Sequence, residues 1–382
     1  MATTSHREER YASDNYWHGS LGFFFVNRFQ IVYYILFLPQ VLVYPHMVWL
    51  IVIVAILSHF NLWMLSRWLG TEEARLGHAG FVRLFGTAAV RLLALLGIGV
   101  ILLQSTVITL GYVRVVHQVL FSSMNELTLV FFLGVASFYL ASLGIIPTGR
   151  FAILAFVGSV WTVFLYFQFL FPPDAEYMHL LPLFPDGMPE AWPAKFLTVW
   201  AAFAGPEYLA FAGKYFSRAG GLFRPLALGN AVTASEYILF LIITTMFFGS
   251  EFLRMIDLPV VEIIRYIELP FFERLEMIII PVHMLPFVFV NALFIHYLHD
   301  AARAVMNIAH KPKSTFGLFL AALLLVIFMY VFGKHFWVTE TDEKWWSNVY
   351  LWVSSTTYAV IPSFLALAAH FRKKRKEGGS AA

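Results

Sequence analysis

The residues best placed to do chemistry lie in the run FAGPEYLAF, Phe203 to Phe211, inside an apolar window. Gly205 and Pro206 in succession weaken a helix, because proline removes a backbone donor and its ring clashes with the preceding turn. Backbone groups freed at membrane depth are tolerated where they line a cavity or a ligand site. Glu207 follows at once, and an ionisable residue inside a span is a functional candidate by default. Gly205, Pro206 and Glu207 are therefore the first candidate ligand-binding set. The structural alternative is a proline kink whose acid pairs with a neighbouring helix.

Pro39 and Gln40, in FLPQ, occupy the corresponding place in the first half of the chain and join the ligand-binding candidates. Gln104, Ser105, Thr106, Thr109 and Tyr112 form a polar stripe in an apolar window, with positions 105, 109 and 112 on one helical face. Ser105 and Thr109 are added to the set, although such residues also join helices to one another. Glu236 and His283 are single polar residues within their windows, candidates for proton coupling or ligand contact. Glu273, Arg274 and Glu276 open a further window in FFERLEM. Acids there suit the positive end of a helix dipole, and Arg274 neutralises either one, so these three are pairing candidates.

No nucleophile, metal-ligand cluster or phosphate-cradling glycine loop accompanies these acids. The chain is not expected to be an enzyme, nor to carry a metal or cofactor. Cysteine is absent, which excludes disulfides and thiolate chemistry. The net charge of +3 is small and its basic residues are scattered, so nucleic acid is not an expected partner.

These residues need elements to hold them, and composition says which. Hydrophobic residues make up 60% of the 382 positions and charged ones 13%, about half the soluble norm. A span needs about twenty apolar residues. Ten windows satisfy that: Phe23 to Tyr44, His46 to Leu69, Leu92 to Val113, Leu127 to Ile146, Phe151 to Phe171, Ala194 to Phe216, Pro225 to Gly249, Phe271 to Tyr297, Thr315 to Gly333 and Asn348 to Phe371. The first two split at Pro45, a residue favoured in a first helical turn. Counting Lys and Arg on alternate sides gives 18 against six, with Arg28 and Arg274 set aside as helix-end residues. The richer side is cytoplasmic, which puts both termini inside.

The expected fold is an all-α polytopic membrane protein of ten transmembrane helices. It comprises a cytoplasmic segment (1–22), a transmembrane domain (23–371) and a basic cytoplasmic tail (372–382). The domain divides as five plus five, 23–171 and 194–371, an inverted repeat with broken helices 1 and 6. The stretch from Pro172 to Pro193, with Asp174, Glu176, Asp186 and Glu190, reads as an ordered external loop. Between Ser250 and Pro270, Val260, Val261, Ile263, Ile264 and Ile267 make one face of a short helix, a lid over spans seven and eight.

Two stretches resemble the spore-germination permease family, the B subunits of nutrient germinant receptors, within the amino acid/polyamine/organocation transporter superfamily. They are PVVEIIRYIELPFFERLEM, Pro259 to Met277, and Phe203, Gly205 and Glu207 as a Phe-x-Gly-x-Glu pattern. The family often has an Asp-Ala-Trp element opening span two, where this chain keeps Trp49 behind His46, Met47 and Val48. The resemblance implies ligand bound between broken helices one and six, flanked by helices three and eight. It also implies the spore inner membrane, and partnership with the receptor's A subunit and lipoprotein C subunit. The function expected from it is a receptor subunit that binds a small nutrient such as an amino acid and signals germination. The alternatives are a proton- or sodium-coupled amino acid transporter, or an ion or water channel subunit.

Overall fold

Where proline and glycine fall decides how the apolar windows become helices. The structure is a computed structural model and describes residues 16–173, 175–184, 187, 191–216, 221–267 and 274–379. Among the described residues there is no strand, only an isolated bridge between Trp17 and Phe216. The first half runs α1 (Leu21–Tyr34), α2 (Leu38–Leu42), α3 (Val48–Leu69), α4 (Glu72–Leu76), α5 (His78–Phe85), α6 (Thr87–Val119), α7 (Glu126–Ser142) and α8 (Ile145–Leu165). The second runs α9 (Trp192–Ala202), α10 (Phe223–Leu253, kinked at Gly249), α11 (Pro259–Ile264), α12 (Glu276–Val305), α13 (Thr315–His335) and α14 (Glu340–Gly379). Glu273, with Asp174, Asp186, Glu190, Arg7, Arg10 and Arg218, lies outside the described residues.

Among the described residues, seven helical stretches are long and apolar enough to cross a bilayer: Pro45–Leu69, Thr87–Val119, Ile145–Leu170, Phe223–Leu253, Glu276–Val305, Thr315–His335 and Glu340–Arg372. The expected first, fourth and sixth spans fall on shorter pieces: α1 with α2, α7, and α9 followed by the 3-10 turn Pro206–Phe211. Sequence reading expects span six, Ala194 to Phe216, to be a broken helix, and its helical part stops at Ala202. The interruption of span one precedes Pro39 instead of falling on it. α1 ends at Tyr34, and Pro39 sits in the first turn of α2. The reason is steric. A proline ring displaces the carbonyl four residues earlier, here that of Ile35, so the turn before Pro39 is the one lost.

α12 packs against α6, α7, α8 and α13 and is buried along most of its length. Around it, α1 packs on α8 and α10, α3 on α10 and α14, and α9 on α14. At the end of the bundle where α12 begins, α11 is the short helix expected between Ser250 and Pro270. Val260, Val261, Ile263 and Ile264 on it, and Ile267 after it, are all buried. Residues 183 and 184, between α8 and α9, fold back there too, with Trp49 Nε1 donating to Leu183 O at 3.1 Å and its ring stacked on Phe184.

At the opposite end Trp17 is fully buried. Its indole N–H donates to Ile146 O at 3.2 Å and its backbone N–H to Tyr215 O at 2.7 Å. Gly149 lies under the ring, where a Cβ would come within 2.3 Å of it. Nearby, the Lys313 ammonium sits 2.7 Å from Asp300, and burial followed by the Lys214 charge holds His78 below the ordinary imidazole range.

Candidate functional site

The break after α9 is built by Gly205, whose φ of +113° is open to glycine and strained for other residues. The close approach of α1 demands the same residue, since a Cβ on Gly205 would lie 2.8 Å from the Phe29 Cβ. Pro206 then starts the 3-10 turn, where its missing N–H is no loss. Three carbonyls of the broken segment find donors from other helices. Tyr237 Oη from α10 reaches Ala202 O at 3.0 Å, Gln30 Nε2 from α1 reaches Phe203 O at 3.0 Å, and Trp68 Nε1 from α3 reaches Ala210 O at 2.8 Å. Unpaired backbone groups are expensive in an apolar interior, so these donors fix the break in place.

Glu207 is completely buried beside it. Its carboxylate accepts from the Gly205 N–H at 2.5 Å and from the Thr357 hydroxyl at 3.1 Å. The Thr357 hydroxyl in turn lies 3.4 Å from Gln104 Nε2, and Gln104 Oε1 accepts from the Tyr208 hydroxyl. Among the described residues no Lys, Arg or His pairs with this carboxylate. Across the break, Gln30 Nε2 also donates to Asn230 Oδ1 at 2.8 Å, while Gln30 Oε1 is buried without a hydrogen-bond partner among the described residues. The space between these groups is filled by rings. Phe29 and Phe289 lie 5.6 Å apart by centroid, and Tyr208 and Phe294 4.8 Å apart.

Gly205, Pro206 and Glu207 thus lie together at the break, and other candidates lie elsewhere. Ser105 Oγ donates to Asn291 Oδ1 at 2.5 Å and Thr109 accepts from Asn291 Nδ2 at 3.0 Å, so both couple α6 to α12. Of the polar stripe, Gln104 is the member that connects to Glu207. Gln40 is bound to Asp257 at 3.3 Å near the protein surface, and Pro39 packs in the core of α2. His283 Nδ1 bonds Ile279 O at 3.0 Å in its own helix, and Arg274 Nε pairs with Glu276 at 2.8 Å.

Glu236 belongs to a separate buried network. Arg28, set aside on sequence as a helix-end residue, is buried within the bundle, 3.8 Å from Glu236 and with its guanidinium over the Phe156 ring. Asn27 bridges the two: Nδ2 donates to Glu236 at 2.7 Å, and Oδ1 accepts from Arg28 Nε at 2.9 Å. Ser159 on α8 takes a further N–H of Arg28. The polar run Asn27, Arg28 and Gln30 near the start of span one is the signal that sequence reasoning passed over. Thr357, at the end of the run SSTT, and Asn230, in the window that also holds Glu236, gave a weaker one.

Residues 19–337 match the profile of a family described as spore germination protein. The spore germination protein GerQB of Bacillus cereus is 25% identical over 236 residues, which span 61% of this chain and 61% of GerQB.

Proposed function

This chain belongs to the spore germination protein family, and from that premise we propose that it is the multi-pass membrane subunit of a nutrient germinant receptor. It binds a small nutrient, foremost an amino acid, at the break around Gly205 and Glu207. The observation that carries this is the Glu207 carboxylate, buried in a broken helix with neutral hydrogen-bond donors only. A desolvated carboxylate without a cation is costly, and the ammonium group of an amino acid supplies the missing charge. The unpartnered Gln30 Oε1 offers a second acceptor for it.

The architecture proposed is ten spans in two inverted halves, in the spore inner membrane with both termini cytoplasmic. Packing between helices supports the repeat. Exchanging α1 with α9, α3 with α10, α6 with α12, α7 with α13 and α8 with α14 turns the contact of α1 with α8 into that of α9 with α14. It likewise turns α12 against α7 into α6 against α13. Signalling would run to the receptor's A and C subunits.

The test is Glu207→Gln in spores. The expected result is loss of the response to one nutrient while the protein persists in the membrane at wild-type amounts. An unchanged response across a nutrient panel would remove Glu207 from the site.

A further inference from the structure

Helices α7 and α13 pack side by side, and two glycines bring them together. A Cβ on Gly134 would come within 2.5 Å of Val326, and one on Gly333 within 2.9 Å of Leu127. Small residues let helix backbones approach this closely. Along the stretch between these contacts the pair leaves an open groove of about 470 Å³, walled by Leu127, Val130, Phe131, Val326 and Ile327. Phe131 is 56% and Ile327 50% exposed, so the walls face outward and nothing has to move for the groove to be reached.

The groove is apolar along its walls and polar at one end. Asn125 and Thr128, at the start of α7, and Tyr330 on the facing helix line it as well. The Thr128 and Tyr330 hydroxyls carry no hydrogen bond among the described residues. Lys334 follows Tyr330 by one turn on the same face of α13, exposed and without an ion pair among the described residues. The ionisable groups around it are occupied with one another: Glu126 faces His117 at 3.4 Å, and Arg114 is taken by Glu343.

A groove of this volume lies within the range that seats small ligands. α13 lies in a stretch that crosses the bilayer, so what meets the groove from outside is lipid. An apolar channel that ends in hydroxyl groups and an unopposed ammonium matches a molecule with a hydrocarbon chain and a phosphate at its head. We infer that the groove binds one anionic glycerophospholipid of the bilayer. One acyl chain lies between α7 and α13, and the lysine reaches along the helix end to hold the phosphate at Lys334. The Glu207 reading is not needed for this, and the two can fail separately.

The test is lipid retention by the purified full-length protein, read by native mass spectrometry after exposure to equal amounts of phosphatidylglycerol and phosphatidylcholine in detergent. Wild type is expected to keep one phosphatidylglycerol, preferred by about fivefold, the attraction that one lysine exerts near a membrane surface. Lys334→Gln keeps a lipid and loses the preference. Ile327→Trp, which fills the groove, loses the lipid, whereas Leu154→Trp on the exposed face of α8 retains it. All three side chains are exposed, so the substitutions leave the core intact. Equal retention of both lipids by wild type, a preference surviving in Lys334→Gln, or lipid kept by Ile327→Trp would each overturn the proposal. So would wild type recovered lipid-free as a dimer, which would give the groove to a second copy of the chain.

Discussion

Spans one and six are both interrupted, yet the two interruptions are built from opposite materials. In span six the chain turns through Gly205 at positive φ, places Glu207 in the gap, and draws a side-chain donor from each of three other helices onto its loose carbonyls. In span one the gap from Ile35 to Phe37 is apolar, closed by a turn bond from Phe37 N to Tyr34 O at 3.3 Å, and borders a small void beneath α11. One break is a polar junction that specifies a single backbone path; the other is a greasy joint. The contrast shows that a helix interruption need not be polar merely because another in the same chain is. What decides is whether other helices send polar groups to it.

The sharpest way to break the contrast is Gly205→Ala. Strain at φ +113° and the Phe29 clash together are expected to cost on the order of 3 kcal/mol, read as a lower melting temperature of the purified protein. Gln30→Leu comes next, removing a donor shared by Phe203 O and Asn230 Oδ1, at about 2 kcal/mol. Tyr166→Phe, on the apolar side, should lower stability by about 1 kcal/mol through loss of its bond to Val260 O. Pro39→Ala is the smallest, within about 0.5 kcal/mol, since a first-turn proline is accommodated without strain. An effect of Pro39→Ala as large as that of Gly205→Ala would show the two breaks to be equivalent. Glu207→Gln sharpens the comparison from another side: it should leave stability unchanged or raised, because it removes an uncompensated buried charge.

Much of this was legible in the residues. Gly205 next to Pro206 in an apolar window announced the break, and Glu207 stood out as the acid beside it. The alternation of Val260, Val261, Ile263 and Ile264 announced the short helix. What the chain alone could not show was partnership across great sequence distance. Ser105 and Thr109 share a face with Tyr112, but which neighbour that face meets depends on where Asn291 stands, 186 positions after Ser105. Pro39 marked the right turn of span one while hiding that a proline acts on the residues before it. Arg28 lay close enough to the start of its window to pass for a boundary residue, and only the fold brings Glu236 beside it.

That last pairing bears on how the protein is made. Asn27 and its partner Glu236 are 209 positions apart, and Arg28 depends on the same acid. At about 5 to 20 residues per second of synthesis, the first span waits roughly ten to forty seconds before its counter-charge leaves the ribosome. During that interval a guanidinium is committed to a segment that has no anion to meet it. The nascent first span is therefore a client for whatever shelters unfinished helices at the insertion machinery. The ion pair records the moment at which the two halves of the molecule become one.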